Sequence, residues 1–369
     1  MTALRTWYRA LRSDIGYHRP LISHLRTAQV TQYSVYAIGA ALVDTEIQVN
    51  DSELGAMAVE KGVMTLVDED RQAELMGHLQ GHLVGASHAS GGSAGNSMIA
   101  TALFGAPTFM SCKVADDADG DIYLADLEAS GVAHSLTDKR GSGTTGKCLV
   151  LITPDAERSM NTFLGVSETL STAEVDDQAI ASSDWVYLEG YLVTSPTGHD
   201  AALHTRKVAE ANNVKTAISF SDPGMVMYFR DNMEQLVGDG VDLVFCNEAE
   251  ALEWGNTDRL DVAMEAIKKV AKSFVVTLGA KGAIAFDGSQ LFEVDAHTVD
   301  ALNTNGAGDM FAGAFLYAIS RGEDYGRAAE FAVRAAGEVV KYFGPRLQAE
   351  GYPAPVSYTH LTLPTTPYV

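Results

Sequence analysis

Apolar residues fall into short runs separated by stretches in which they recur every three or four positions. The runs at 35–43, 108–114, 185–188, 216–220, 243–246 and 274–278 predict strands, several apolar enough to be buried on both faces. Helical spacing predicts helices at 70–83, with Leu75, Leu79 and Leu83 on one face, at 93–104, at 120–129, and from about residues 200, 224 and 258. Such βαβ alternation implies a parallel sheet covered on both faces, with ligands at the carboxyl ends of the strands. Two segments, 40–49 and 143–164, alternate more like a small, partly exposed sheet. Within the second, 149–153 and 158–164 pair as a hairpin around Pro154-Asp155. They predict a lid over the site.

At 369 residues and 46% hydrophobic, the chain can bury one large α/β core, expected at 32–347. Residues 1–31 carry Arg5, Arg9, Arg12, Arg19 and Arg26 against Asp14 alone and are expected as an extension. Residues 348–369, with scattered prolines and threonines, are expected as a tail outside the fold. A net charge of -22 argues against nucleic-acid and anionic-membrane partners. Anionic substrates must then be held by local amides, a metal ion and a few cations. Cys112, Cys148 and Cys246 are too scattered for a disulfide framework, so buried thiols in a reducing cytoplasm are expected. No apolar stretch approaches membrane-spanning length.

The run from Asn303 to Asp309, Asn-Thr-Asn-Gly-Ala-Gly-Asp, precedes a helical pattern containing Phe311, Phe315 and Ile319. Gly306 and Gly308 let the main chain approach a ligand, and a helix start offers free amides and a positive dipole end to phosphate. Asp309 opposes an anion by charge, but it suits a group that accepts a proton from an attacking hydroxyl. Gly91, Gly92 and Asn96 open the helix at 93–104, and a polyhydroxylated ligand could approach there; glycine turns before helices are also common. Asn247 and Glu250 lie three apart after a strand, a spacing that suits hydrated Mg²⁺ or an ordinary helix cap. Thr277, Gly279 and Gly282 form a turn between strands, a nucleotide contact or a plain hairpin. Residues 141–148 nearly spell a P-loop, but Cys148 replaces the required Ser or Thr and a strand follows. His78, His82 and His88 lack the HExxH pattern and read as a solvated face.

Together and in this order, the motifs resemble the ribokinase (PfkB) family of ATP-dependent carbohydrate and nucleoside kinases, over about residues 32–347. The resemblance implies a three-layer α/β/α sandwich with a mostly parallel sheet and a small β-sheet lid. It implies Asp309 as catalytic base, Gly306, Ala307 and Gly308 as anion hole, and Asp44, Gly91, Gly92 and Asn96 as acceptor contacts. Thr277, Gly279, Gly282 and Asn303 are implied at ATP, and Asn247 and Glu250 at Mg²⁺, largely through water. A monovalent cation is a further cofactor consistent with the family, and the chain would act as a monomer or homodimer. One position departs: the family's late motif usually begins Asp-Thr, and here it begins Asn303-Thr304. The glycine motifs and the hairpin at 148–161 look most like adenosine kinase, which places a nucleoside ahead of ribose or fructose as acceptor. A non-catalytic nucleoside- or sugar-binding relative is the reading of another class. Phe163, Tyr187 and Tyr191 are candidates for a base-stacking wall, or core.

Overall fold

Successive residues of a strand point to opposite faces, and here that alternation builds two cores from one sheet. The structure, a computed structural model, describes residues 32–82, 87–136, 140–347 and 351–352. The expectations for 1–31, for Leu83 and for 353–369 lie outside the described residues.

The strands are β1 (Tyr33–Ile38), β2 (Leu42–Gln48), β3 (Met64–Leu66), β4 (Ser87–Gly91), β5 (Thr108–Ser111), β6 (Val132–Ala133), β7 (Gly146–Ile152), β8 (Arg158–Phe163), β9 (Ser183–Glu189), β10 (Lys215–Ser219), β11 (Val241–Asn247), β12 (Ala271–Thr277), β13 (Ala283–Phe286) and β14 (Leu291–Val294). Nine form the main sheet in the order β14-β13-β12-β11-β10-β9-β1-β5-β6. It is parallel from β12 to β6 and antiparallel at the β13 and β14 edge. Val35, Ala37, Tyr187, Phe245 and Val275 face one core, shared with helices Ser93–Leu103, Ala307–Ser320 and Tyr325–Val339. Their neighbours Tyr36, Val186, Val244, Phe274 and Val276 face the other, shared with helices Pro196–Ala211, Arg230–Val237 and Glu248–Gly255. The result is the three-layer α/β/α sandwich.

The remaining five strands form the second sheet, β3-β8-β7-β2-β4. Its outer face packs Ile47, Leu149 and Leu151 on Leu54, Leu75 and Leu79 of two covering helical segments. Its inner face carries Leu42, Cys148, Val150 and Ile152, with Met160 and Leu164 beside them. This is the predicted lid, and β7 and β8 are the antiparallel hairpin expected around Pro154-Asp155. Residues 141–148 are no P-loop: β7 starts at Gly146, and Lys147 Nζ lies 2.8 Å from Asp119 Oδ2.

Where element ends differ from expectation, the cause is local. Ser195 and Asp222 accept hydrogen bonds from Gly198 and Gly224 and precede Pro196 and Pro223, so those helices begin earlier than apolar spacing indicates. The helix expected at 70–83 runs Glu69–His78, starting from the Asp68 cap. Tyr352, within the expected tail, packs its ring edge-on against Phe104 at 5.0 Å. The three cysteines are free and buried. No helix of the described residues is long and apolar enough to cross a membrane.

Phe315 sits fully buried among the rings of Phe245, Phe311 and Tyr325. Truncating Phe315→Ala leaves a cavity behind the glycine turn at 306–308. Urea denaturation is expected to show a loss of about 3–5 kcal/mol, and a loss under about 1 kcal/mol would refute this account of the core.

Candidate active site

Two helices begin at one place, and the sequence brings them there through glycine. Gly306 caps the helix Ala307–Ser320 with φ +73°, where a Cβ would run into the Pro345 backbone. Gly92 caps the helix Ser93–Leu103 with φ +86°, where a Cβ would collide with the Ala40 carbonyl. Gly308 is different, because a Cβ there would meet nothing. Gly308 is exposed, at an open face of the helix start.

Asp309 lies in the first turn of its helix and faces the other. Ser93 Oγ donates to Asp309 Oδ1 at 2.7 Å, and Asn96 Nδ2 donates to Oδ2 at 3.0 Å. Burial raises the Asp309 carboxyl above its ordinary value, and the Ser93 and Asn96 hydrogen bonds and the Arg158 charge oppose the rise. Asn96 Oδ1 is buried without a hydrogen-bond partner. The structure therefore brings Asp309, Asn96 and the two glycine turns together, as expected.

Asp44 enters from the lid strand β2. Gly91 lies directly across the ladder from Leu42, and a Cβ on Gly91 would overlap the Asp44 carboxylate. Asp44 is buried, its Oδ1 lacks a partner, and its carboxyl is pushed up to about 8 by burial, then by Glu46 and Asp309. Asp44 Oδ1 is thus a buried acceptor that the protein itself leaves without a donor.

Several functional groups escaped the sequence reading. Glu189, at the end of β9, accepts from Ala40 N at 3.1 Å and Ala94 N at 2.8 Å, tying the chain turn before the lid to the start of the Ser93 helix. Burial pushes its carboxyl to about 7. Arg158 reaches from lid strand β8 to Thr304 Oγ1 at 3.1 Å, and its charge lowers the carboxyls of Asp309, Glu250 and Asp222. Arg346 joins Asp126 at 2.6 Å and Ser90 at 3.0 Å behind Gly91. None belongs to a glycine motif, so only the fold reveals them.

At the other end of the cleft, Asn247 and Thr277 are paired residues at the carboxyl ends of β11 and β12. Asn247 and Glu250 form a reciprocal capping box, with Glu250 N donating to Asn247 Oδ1 at 2.8 Å and Asn247 N to Glu250 Oε2 at 3.0 Å, and Asn247 Nδ2 also donates to Glu250 Oε1 at 2.6 Å. The cap expected as one of two alternatives is thus present. Glu250 is buried and its carboxyl is pushed up to about 7 by burial. Gly279 and Gly282 take φ of +57° and +104° in the turn after Thr277, and Gly282 abuts the Val294 carbonyl. Asn303, implied at ATP, is fully buried: its amide donates to Glu46 Oε1 at 3.1 Å and faces no open cleft. No group of three or more His, Cys, Asp or Glu that could hold a metal occurs among the described residues. The His88 side chain lies outside the described residues, and His82 pairs with Glu53 at 3.1 Å.

Comparisons with known proteins bear on the fold and the family. The pfkB family carbohydrate kinase model matches residues 63–350. The fold is similar to that of an adenosine kinase from Sinorhizobium meliloti, with 35% identity and a TM-score of 0.81, covering 85% of this chain and 96% of that one. It is equally similar to a probable sugar kinase from Rhizobium etli, with 33% identity and a TM-score of 0.81, covering 86% and 96%. An adenosine kinase from Dictyostelium discoideum is 29% identical over 255 residues, 64% of this chain and 73% of the relative. With its sheet, lid and ordered glycine turns, the chain belongs to the pfkB family of carbohydrate kinases.

Proposed function

We propose that the chain transfers the γ-phosphoryl of ATP to a primary hydroxyl of a nucleoside, adenosine first, giving AMP when adenosine is the acceptor. Phosphoryl transfer to a nucleoside or sugar hydroxyl follows from the family, and the finer reading rests on the site. The observation that carries it is Asp309, held by Ser93 and Asn96 in the first turn of a helix whose Gly308 face is open.

In this reading Asp44 and Asn96 hold acceptor hydroxyls, using the oxygens that lack partners in the protein. Each Asp309 oxygen keeps a second lone pair, so the carboxylate can accept the proton of the attacking hydroxyl. Its raised pKa makes it a stronger base than a free aspartate. The amides of Gly306 and Gly308 and the Arg158 guanidinium face the charge of the transferring phosphoryl, where alignment and neutralisation do most of the work; the Ala307 amide, expected in the same anion hole, already donates to the Thr304 carbonyl at 3.3 Å. Thr277, Gly279 and Gly282 line the nucleotide at the strand ends. The lid excludes water.

Mg²⁺ is the cofactor the family implies. Both Glu250 oxygens accept hydrogen bonds from Asn247, which suits a hydrated ion held through its waters, and the raised Glu250 carboxyl is a charge that a cation would relieve. Asn247 and Glu250 would hold it, and bound there it supplies charge neutralisation at the phosphates.

A nucleoside is favoured over a free sugar by the inner face of the lid. Beside Asp44 it carries Leu42 and Cys148, with the partly buried Met160 and Leu164 packed against them, apolar side chains that suit a base better than a sugar's hydroxyls. Tyr187 is fully buried in the core and forms no such wall.

ADP release from Mg·ATP, measured with adenosine, inosine, guanosine, ribose and fructose, should be fastest with adenosine. Turnover with ribose alone would overturn the nucleoside assignment. Asp309→Asn should lower kcat by about 10²–10⁴-fold while saturable acceptor binding persists; a variant as active as wild type would remove the base. A third measurement uses pH. The Asp44 carboxyl moves from an ordinary 3.8 to about 8 on folding, so between those values the folded chain binds the extra proton and stability falls as pH rises. Asp44→Asn should flatten the decline of unfolding free energy across that range in ligand-free protein. An unchanged slope would show that Asp44 is not the titrating group.

A further inference from the structure

Glu46 lies two residues beyond Asp44 on β2 and is buried. Its Oε1 accepts from Asn303 Nδ2 at 3.1 Å and from Asn305 Nδ2 at 2.9 Å, and its Oε2 accepts from Gly344 N at 2.7 Å. Asn303 and Asn305 are themselves buried, and Asn303 Oδ1 accepts from Asn305 N at 2.8 Å. The Asn303 amide is thus fixed in sense: its oxygen closes the turn and its nitrogen serves Glu46. Thr304, between them, is held by Arg158 from the same lid sheet. Gly306 follows immediately, pressed against Pro345, which itself follows Gly344. One carboxylate therefore grips both chain segments that frame the turn at 306–308.

We infer that Glu46 is a positioning residue, coupling the lid strand that carries the acceptor-binding Asp44 to the turn that binds the transferring phosphoryl. The inference rests on the reading of Gly306 to Gly308 as anion hole. It also accounts for Asn303 where the family usually has Asp. A carboxylate at 303 keeps the hydrogen bond from Asn305 N but sets its other oxygen against Glu46 Oε1. An amide of the same shape donates there instead. The departure at 303 and the acid at 46 are two halves of one contact, so the amide is a local accommodation and no sign of lost catalysis.

The test is a double-mutant cycle on the full chain, with Mg·ATP and the acceptor that wild type turns over, scored by kcat, acceptor KM and melting temperature. Glu46→Gln leaves one acceptor oxygen for donors on both sides, so its amide nitrogen must oppose either the Gly344 N–H or the Asn303 and Asn305 amides, and Asn303→Asp places two carboxylates together. Each is expected to lower kcat by about tenfold or more, the size of a lost charged hydrogen bond, with acceptor KM within about twofold. The double variant should regain most of kcat, because the new amide at 46 can donate to the new carboxylate at 303. Losses that multiply in the double variant, or a lowered melting temperature with kcat unchanged, would overturn the coupling. If Glu46→Gln does not fold, Asn305→Ala removes one donor, and an unchanged kcat in that variant overturns it too. Absence of wild-type turnover with every acceptor would instead refute the kinase reading on which the coupling rests. Wild-type turnover with indifferent variants refutes the coupling alone.

Discussion

A carboxylate enclosed away from water must find donors or give up its charge, and the cleft of this chain is arranged around four of them. Asp44, Glu46, Glu189 and Glu250 are all nearly inaccessible. Glu189 is met by two backbone amides, Glu250 by a capping asparagine and Glu46 by two side-chain amides and one backbone amide. For Glu189 and Glu46 the donors come from chain segments far apart in sequence, so meeting the charge also sets the geometry. Asp44 alone keeps an oxygen without a partner, and that oxygen lies beside the turn where a ligand would enter.

The sheet was legible because buried parallel strands read as unbroken apolar runs, and those at 185–188, 216–220, 243–246 and 274–278 all appear as strands. Short polar strands were not legible. β3 and β4, with sequences Met-Thr-Leu and Ser-His-Ala-Ser-Gly, have neither length nor apolar content enough to signal pairing. They exist because β8 and β2 offer them open edges. Helix starts were displaced for a related reason, since Ser195 and Asp222 act through hydrogen bonds that apolar spacing does not register.

Site residues divided along the same line. Glycines beside a carboxylate or amide, such as Gly91, Gly92 with Asn96, or Gly306 before Asp309, announce themselves because glycine is required where backbone comes close. Glu46, Glu189 and Arg158 stand in ordinary strand sequence and find their hydrogen-bond partners only in the folded chain. Asn303 shows the limit from the other side. Its departure from the family pattern was visible, but its meaning depends on Glu46, a partner 257 positions away.

That separation also governs how the protein is made. The contact from Glu46 to Gly344 spans 298 residues, so a chain emerging from the ribosome carries the lid strand long before its partners exist. Loop closure of that span is among the last and slowest events of folding. Until then the turn at 306–308 lacks the Glu46 contacts that hold the segments on either side of it, in a nascent chain already able to bury much of its sheet.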